Sequence, residues 1–265
     1  MKHHSLMSVW LFVCALFVFG VFETASAETL TINSAINKAG RQRMLSQRMA
    51  KAYCQMGLGV ETERSKRILD QSVALFDKQL VELKVFAPTP EIKETYTKLE
   101  QVWFSYKELL AGSDPNLENA RKIAQVNEDV LKLAHQGTVQ LEKHSGTTAG
   151  KLINVSGRQR MLSQRMAKFN MFRAWGITSP QMTQDLDTAM KEFVAAQEFL
   201  ISAPQDTEQI SRELQLAETQ WYFYNEALKQ TAGSRAEQLK NVATTSERIL
   251  QVMDGVTGMY EATDK

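Results

Sequence analysis

A sixteen-residue stretch occurs twice, almost unchanged. Ile36–Lys51 reads INKAGRQRMLSQRMAK and Ile153–Lys168 reads INVSGRQRMLSQRMAK; only Lys38/Val155 and Ala39/Ser156 differ. Outside this box the two halves match loosely. The offset, about 117 residues, has the length of a domain rather than of a solenoid repeat, so the chain is expected to contain two copies of one structural unit. A hydrophobic core needs only pattern and volume and tolerates swaps within them. Near-identity of the charged and polar positions therefore predicts a shared site as well as a shared fold.

The box has no proline, one glycine and strong helix formers almost throughout. Placed on a helix at about 100° per residue, it puts Leu45, Met49, Ala52 and Met56 on one face, an ordinary core stripe. Gly40, Arg43, Gln47 and Ala50 fall on a second face, extended by Ile36 and Cys54. The second copy repeats that face as Gly157, Arg160, Gln164 and Ala167, between Ile153 and Met171. Small residues there allow another helix to come close. Arg41 and Arg48 lie on a third side.

The box resembles the P-box of the periplasmic sensor domain in NarX-like nitrate/nitrite sensor kinases. It is more similar still to the PilJ-type domain, the N-terminal domain of type IV pili methyl-accepting chemotaxis transducers. The two repeats together cover roughly residues 30 to 262. The resemblance implies a four-helix bundle for each copy. In the nitrate sensors an anion sits between the P-box helices of two protomers, held by the arginine before the box methionine. That arginine matches Arg43 and Arg160, and the glycine three residues earlier matches Gly40 and Gly157. The nitrate sensors differ from this chain between that glycine and arginine, and just after the methionine.

The N-terminus reads as a targeting segment. Lys2 precedes an apolar run from Leu6 to Phe22, and Ala25-Ser26-Ala27 forms an A-x-A cleavage site. Residues 1–27 are expected to be a signal peptide, the run being short for a membrane span; an uncleaved anchor is the alternative. The remainder is expected to be exported and periplasmic. Cys54, its one cysteine, rules out an internal disulfide framework and reads as a small buried hydrophobe. Thirty-one Lys and Arg against thirty Asp and Glu give no footprint for nucleic acid or an anionic membrane.

Helical periodicity between proline and glycine stops divides each copy into four helices, so the fold is expected to be all-α. The first is expected from Ile32 to Met56, ending at Gly57-Leu58-Gly59, and the second from Glu61 to Phe86, ended by Ala87-Pro88-Thr89-Pro90. The third should run from Glu91 to Ala111. Asp114 is the expected N-cap of the fourth, with Pro115 at its first position and an end near His144. Residues 145–150, SGTTAG, form the expected boundary between a first domain, 28–145, and a second, 146–265. In the second copy, stops are expected near Gly176 and Ala203-Pro204, and a last helix from about Ser234. Short connections make up-down bundles. If the linker turns the chain back, the bundles lie side by side as an intramolecular pseudo-dimer and the box helices meet in parallel. If the helix continues, they stack end to end. Two glycines in five residues favour the turn.

Two guanidiniums meeting across a pseudo-twofold interface repel each other, and desolvating them is costly unless they are paired. A small anion relieves both problems, and arginine's rigid donor fork suits planar oxyanions. The expected ligand-binding set is Arg43 and Arg160, with Gly40 and Gly157 for close approach and Gln47 and Gln164 as amide donors. Arg41, Arg48, Arg158 and Arg165 are expected at the rim or paired with acidic residues of neighbouring helices. Trp103-Phe104-Ser105-Tyr106 and Trp221-Tyr222-Phe223-Tyr224 occupy equivalent places; an aromatic stripe of this kind reads as core rather than as a ligand cage. No zinc-spaced ligand set, di-iron Glu-x-x-His pairs, haem attachment, phosphate loop or serine elbow stands in the sequence, so neither a cofactor nor catalysis is expected.

Two functions follow. In one, the chain is a non-enzymatic sensor that binds a small inorganic oxyanion of the nitrate/nitrite kind. It would signal through a membrane-bound chemoreceptor or sensor kinase, as the resemblance implies. In the other it is an adaptor whose box face takes a partner helix. The first expects Arg43 and Arg160 to face each other without acidic partners.

Overall fold

The computed structural model describes residues 30–112 and 114–263, so the expected signal peptide lies outside the described residues. Eight α-helices account for most of the described residues, and no strand is found among them. They are α1 (Ile32–Gly57), α2 (Thr62–Phe86), α3 (Pro90–Ala111), α4 (Leu117–Ser145), α5 (Thr148–Ala174), α6 (Pro180–Ile201), α7 (Glu208–Lys229) and α8 (Arg235–Ala262).

Their ends follow from local chemistry. Thr31, Thr89, Thr147, Ser179, Thr207 and Ser234 cap helix N-termini by accepting a hydrogen bond from a backbone N–H three residues on. At Ser234 the bond is reciprocal, because the Glu237 carboxylate accepts from the cap's own backbone N–H. Helix α1 stops where Gly59 turns left-handed, at φ +69°, and the Val60 N–H bonds back to the Gln55 carbonyl. The same closure ends α5, with Gly176 at φ +80° and the Ile177 N–H on the Phe172 carbonyl. Asp114 is not the cap of α4. Asn116 takes that role, its side chain accepting from the Asn119 N–H, and Pro115 stays outside the helix. An amide two residues nearer the apolar run begins the helix as well as a carboxylate would.

The segment between α4 and α5 is a tight turn. Gly146 is left-handed, at φ +62°, and Thr147 already caps α5, so Gly150 lies inside a helix rather than in a linker. The chain therefore doubles back, and α5 runs in the same direction as α1 against it. The register shows this: Gly150 abuts Ile36, Gly157 lies against Gly40, Gln164 bonds Lys51, and Trp175 fills the space beside Gly57. Helices α4 and α8 flank this inner pair, while α2 and α3 pack on one side and α6 and α7 on the other.

The core runs through the bundle interiors without a break. Leu45, Met49 and Ala52 are fully buried, as their stripe requires, while Met56 is only partly covered. Phe76 stacks on Trp103, with ring centroids 3.9 Å apart, and Phe193 stacks on Trp221 at 4.5 Å. The core expectation thus holds for Trp103, Tyr106, Trp221 and Tyr224. Phe104, Tyr222 and Phe223 face outward instead, more than half exposed, since residues that follow one another along a helix cannot all lie on one stripe.

Candidate functional site

The inner faces of α1 and α5 form the candidate site. Arg43 and Arg160 are both fully buried. A Cβ added at Gly40 would stand 3.2 Å from Nη2 of Arg43 and 3.4 Å from Nη2 of Arg160; at Gly157 the distances would be 3.6 and 3.1 Å. Both guanidiniums therefore close on the same glycine-lined point. That Cβ at Gly40 would also lie 3.8 Å from the Gly157 Cα, so the missing side chains let the two backbones meet.

Each arginine reaches across to the other copy. Nη2 of Arg43 donates to the Asn154 carbonyl at 3.2 Å, and Nη2 of Arg160 donates to the Asn37 carbonyl at 3.2 Å and to Asn37 Oδ1 at 2.7 Å. Nη1 breaks the symmetry. Arg160 places it on the Asp254 carboxylate of α8, whereas Arg43 places it 3.2 Å from His135 Nδ1 on α4. The expectation that neither arginine has an acidic partner is thus corrected for Arg160. Arg43 has no carboxylate in an ion pair among the described residues. In both, Nε finds no acceptor there.

The electrostatics follow from this geometry. Burial, then Arg158 and Arg160, lowers the Arg43 guanidinium to about 9. Burial lowers Arg160 to about 10, with Asp254 opposing the shift. Both are cations at neutral pH, and Arg43 carries the less compensated charge.

Most of the remaining identity in the box is absorbed by structural bonds. Gln42 and Gln159 donate to the Phe76 and Phe193 carbonyls of α2 and α6. Ser46 and Ser163 turn their hydroxyls back to the Arg43 and Arg160 carbonyls, while the Tyr106 and Tyr224 hydroxyls donate to the Ser46 and Ser163 carbonyls. Gln47 donates to Ser46 Oγ. Gln164 donates to Ser163 Oγ and the Ser246 carbonyl and accepts from Lys51 Nζ at 2.7 Å. Neither glutamine hydrogen-bonds to the arginine pair. Arg41, Arg48, Arg158 and Arg165 do pair with acidic residues of neighbouring helices: Asp254, Glu247, Glu192, and both Glu128 and Asp185.

Sequence reasoning missed Asn37, Asn154, His135, Asp254 and a buried lysine layer. Lys51 is fully buried and donates to Ser246 Oγ at 3.1 Å and Glu247 at 2.5 Å; Lys168, equally buried, donates to Asn127 Oδ1 at 2.8 Å and Glu128 at 2.6 Å. Burial holds both amines down at about 8. Burial pushes the Glu247 carboxyl up, but Lys51 and Arg48 outweigh it and hold it at about 2. The available signal was a second, weaker correspondence: Asn127, Glu128 and His135 stand in α4 where Ser246, Glu247 and Asp254 stand in α8.

No curated protein and no solved structure matches this chain. Residues 25–130, about two fifths of the chain, are similar to the family described as Type IV pili methyl-accepting chemotaxis transducer N-term, the PilJ domain.

Proposed function

We propose that the chain is a periplasmic, non-enzymatic sensor that binds one small planar oxyanion, nitrate or nitrite in kind, between α1 and α5, and reports it to a membrane-bound receptor or kinase. One observation carries this reading: two fully buried guanidiniums converge on a glycine-lined point, and one of them has no carboxylate in an ion pair. A buried cation without a counter-charge costs several kcal/mol in general, of the order of 3–5 when a pair is broken, and a bound anion would remove that cost. The tandem copy supplies within one chain the second box helix that the resemblance expects from a second protomer. Export rests on the A-x-A site after the apolar run at the N-terminus and on the PilJ-type match; among the described residues no helix is long and apolar enough to cross a membrane.

The adaptor reading has its own support, because Asp254 already supplies Arg160 with a counter-charge and Asn37 accepts from its Nη2. It requires a partner helix to displace one box face from the other. Isothermal titration with nitrate and nitrite separates the two. Arg43→Ala and Arg160→Ala are each expected to weaken binding by about 1.5–3 kcal/mol, roughly ten- to hundredfold. Arg158→Ala, paired at the rim with Glu192, is expected to cost much less. Equal losses from all three would indicate general attraction of anions. No loss from the first two would leave the adaptor.

A further inference from the structure

The structure holds a second cationic feature, separate from the buried pair. Helices α1, α2 and α8 bound a groove of about 720 Å³ whose charged lining is Arg41, Arg48, Arg64 and Arg248 against Glu247 and Asp254. Both carboxylates are already used twice. Glu247 takes Arg48 and Lys51, and Asp254 takes Arg41 and Arg160. Arg64 and Arg248 are exposed and form no ion pair among the described residues, so two guanidinium forks stand free at the rim.

The pseudo-equivalent groove, between α4, α5 and α6, is a built-in control. The box supplies the same two arginines there, as Arg158 and Arg165. In that groove Glu192 and Asp185 join Glu128, so each box arginine is paired, and the groove is smaller, about 260 Å³. The copies therefore keep the box alike but differ in what faces it, and only one groove retains surplus positive charge. Exposed arginines on their own are ordinary solvated surface. Here they flank a concave surface whose floor is apolar, made by Met44, Leu45, Leu75 and Leu250.

We propose that the α1/α2/α8 groove binds a small organic dicarboxylate, with its two carboxylates on Arg64 and Arg248 and its hydrocarbon backbone over the apolar floor. Guanidinium forks match planar carboxylates two bonds at a time, and a ligand site combines apolar lining with a few convergent polar groups. The groove is far larger than a nitrate-sized ion needs, and this proposal does not depend on the arginine pair binding one.

The experiment is isothermal titration of the chain from residue 28 onward with succinate, with acetate and anionic phospholipid vesicles as comparison probes. Succinate is expected to bind, more weakly at high salt. Arg64→Ala and Arg248→Ala are each expected to lose about tenfold or more in affinity. Lys132→Ala, in the opposite groove, should leave succinate binding unchanged. Nitrate titration should be the same in all three variants, so failure here is distinct from failure at the buried pair. Both rim arginines are exposed, so the variants should fold; circular dichroism checks that. Three results each overturn the proposal: unchanged succinate affinity in both rim variants, acetate binding as tightly as succinate, and binding of vesicles alone, which would assign the groove to a lipid surface.

Discussion

His135 and Asp254 occupy equivalent places on α4 and α8, each against the buried arginine of its own half, yet only Asp254 carries charge at neutral pH. Burial, then Arg43 and Arg158, lowers the His135 imidazole from 6.5 to about 4, with Glu192 opposing. The sign follows directly. Between pH 6.5 and about 4 the unfolded chain binds a proton that the folded chain refuses, so stability rises with pH across that window and is lost as pH falls through it. The urea midpoint is therefore expected to drop on acidification from pH 6.5 to 5. Over that range the carboxylates that are held low, such as Glu247, keep their charge. His135→Asn retains an acceptor for Arg43 without the titration and should flatten the slope. An unchanged slope in the variant would mean that another group is responsible.

Helix–helix contact sets the next constraint, and Gly57 of α1 lies against Trp175, the C-cap residue of α5. A Cβ there would stand 2.0 Å from Cη2 of Trp175, whose ring also lies against Tyr53 with centroids 6.3 Å apart. Gly57 is exposed and Trp175 half-buried, so the indole can move at modest cost; Gly57→Ala is expected to destabilise by about 1 kcal/mol, because a ring this close must shift and that outweighs alanine's better helix propensity. Calorimetry should show a lower Tm; an unchanged or higher Tm would place Trp175 elsewhere in solution. This contact illustrates what a sequence conceals. Gly57 was legible as part of a helix stop, since proline and glycine act locally. Its closeness to Trp175 was not, because that depends on how two distant helices pack. The site divides in the same way. Arg43, Arg160, Gly40 and Gly157 were legible from a repeated helical face, and they do converge. The mates of those arginines were not, because Asn37, Asn154, His135 and Asp254 are fixed by register between helices. Lys51 and Lys168 were hidden for a related reason: a lysine reads as surface unless its carboxylate, here on α8 or α4, is known to be buried beside it.

The molecule as a whole is held by bonds that cross between its halves. Arg41, Arg48 and Lys51 of α1 pair with Asp254 and Glu247 of α8, while Arg165 and Lys168 of α5 pair with Glu128 of α4. Ile36, Ala39, Ala50 and Cys54 are fully buried along the first box helix, so parting the halves would expose apolar surface together with two cations. We therefore expect residues 28–145 and 146–265 to be two units that fold against each other rather than independent modules on a tether. A protease site inserted at the exposed, left-handed Gly146 turn tests this without altering any of those bonds. After cleavage the halves should still co-elute in size exclusion as one species of unchanged volume. What the covalent link contributes is effective concentration, in the millimolar range for a short connection. Once it is cut, thermal unfolding should become dependent on protein concentration, whereas the intact chain should show no such dependence. Halves that elute separately, each still helical, would overturn this expectation and return α1 and α5 to the status of faces open to other partners.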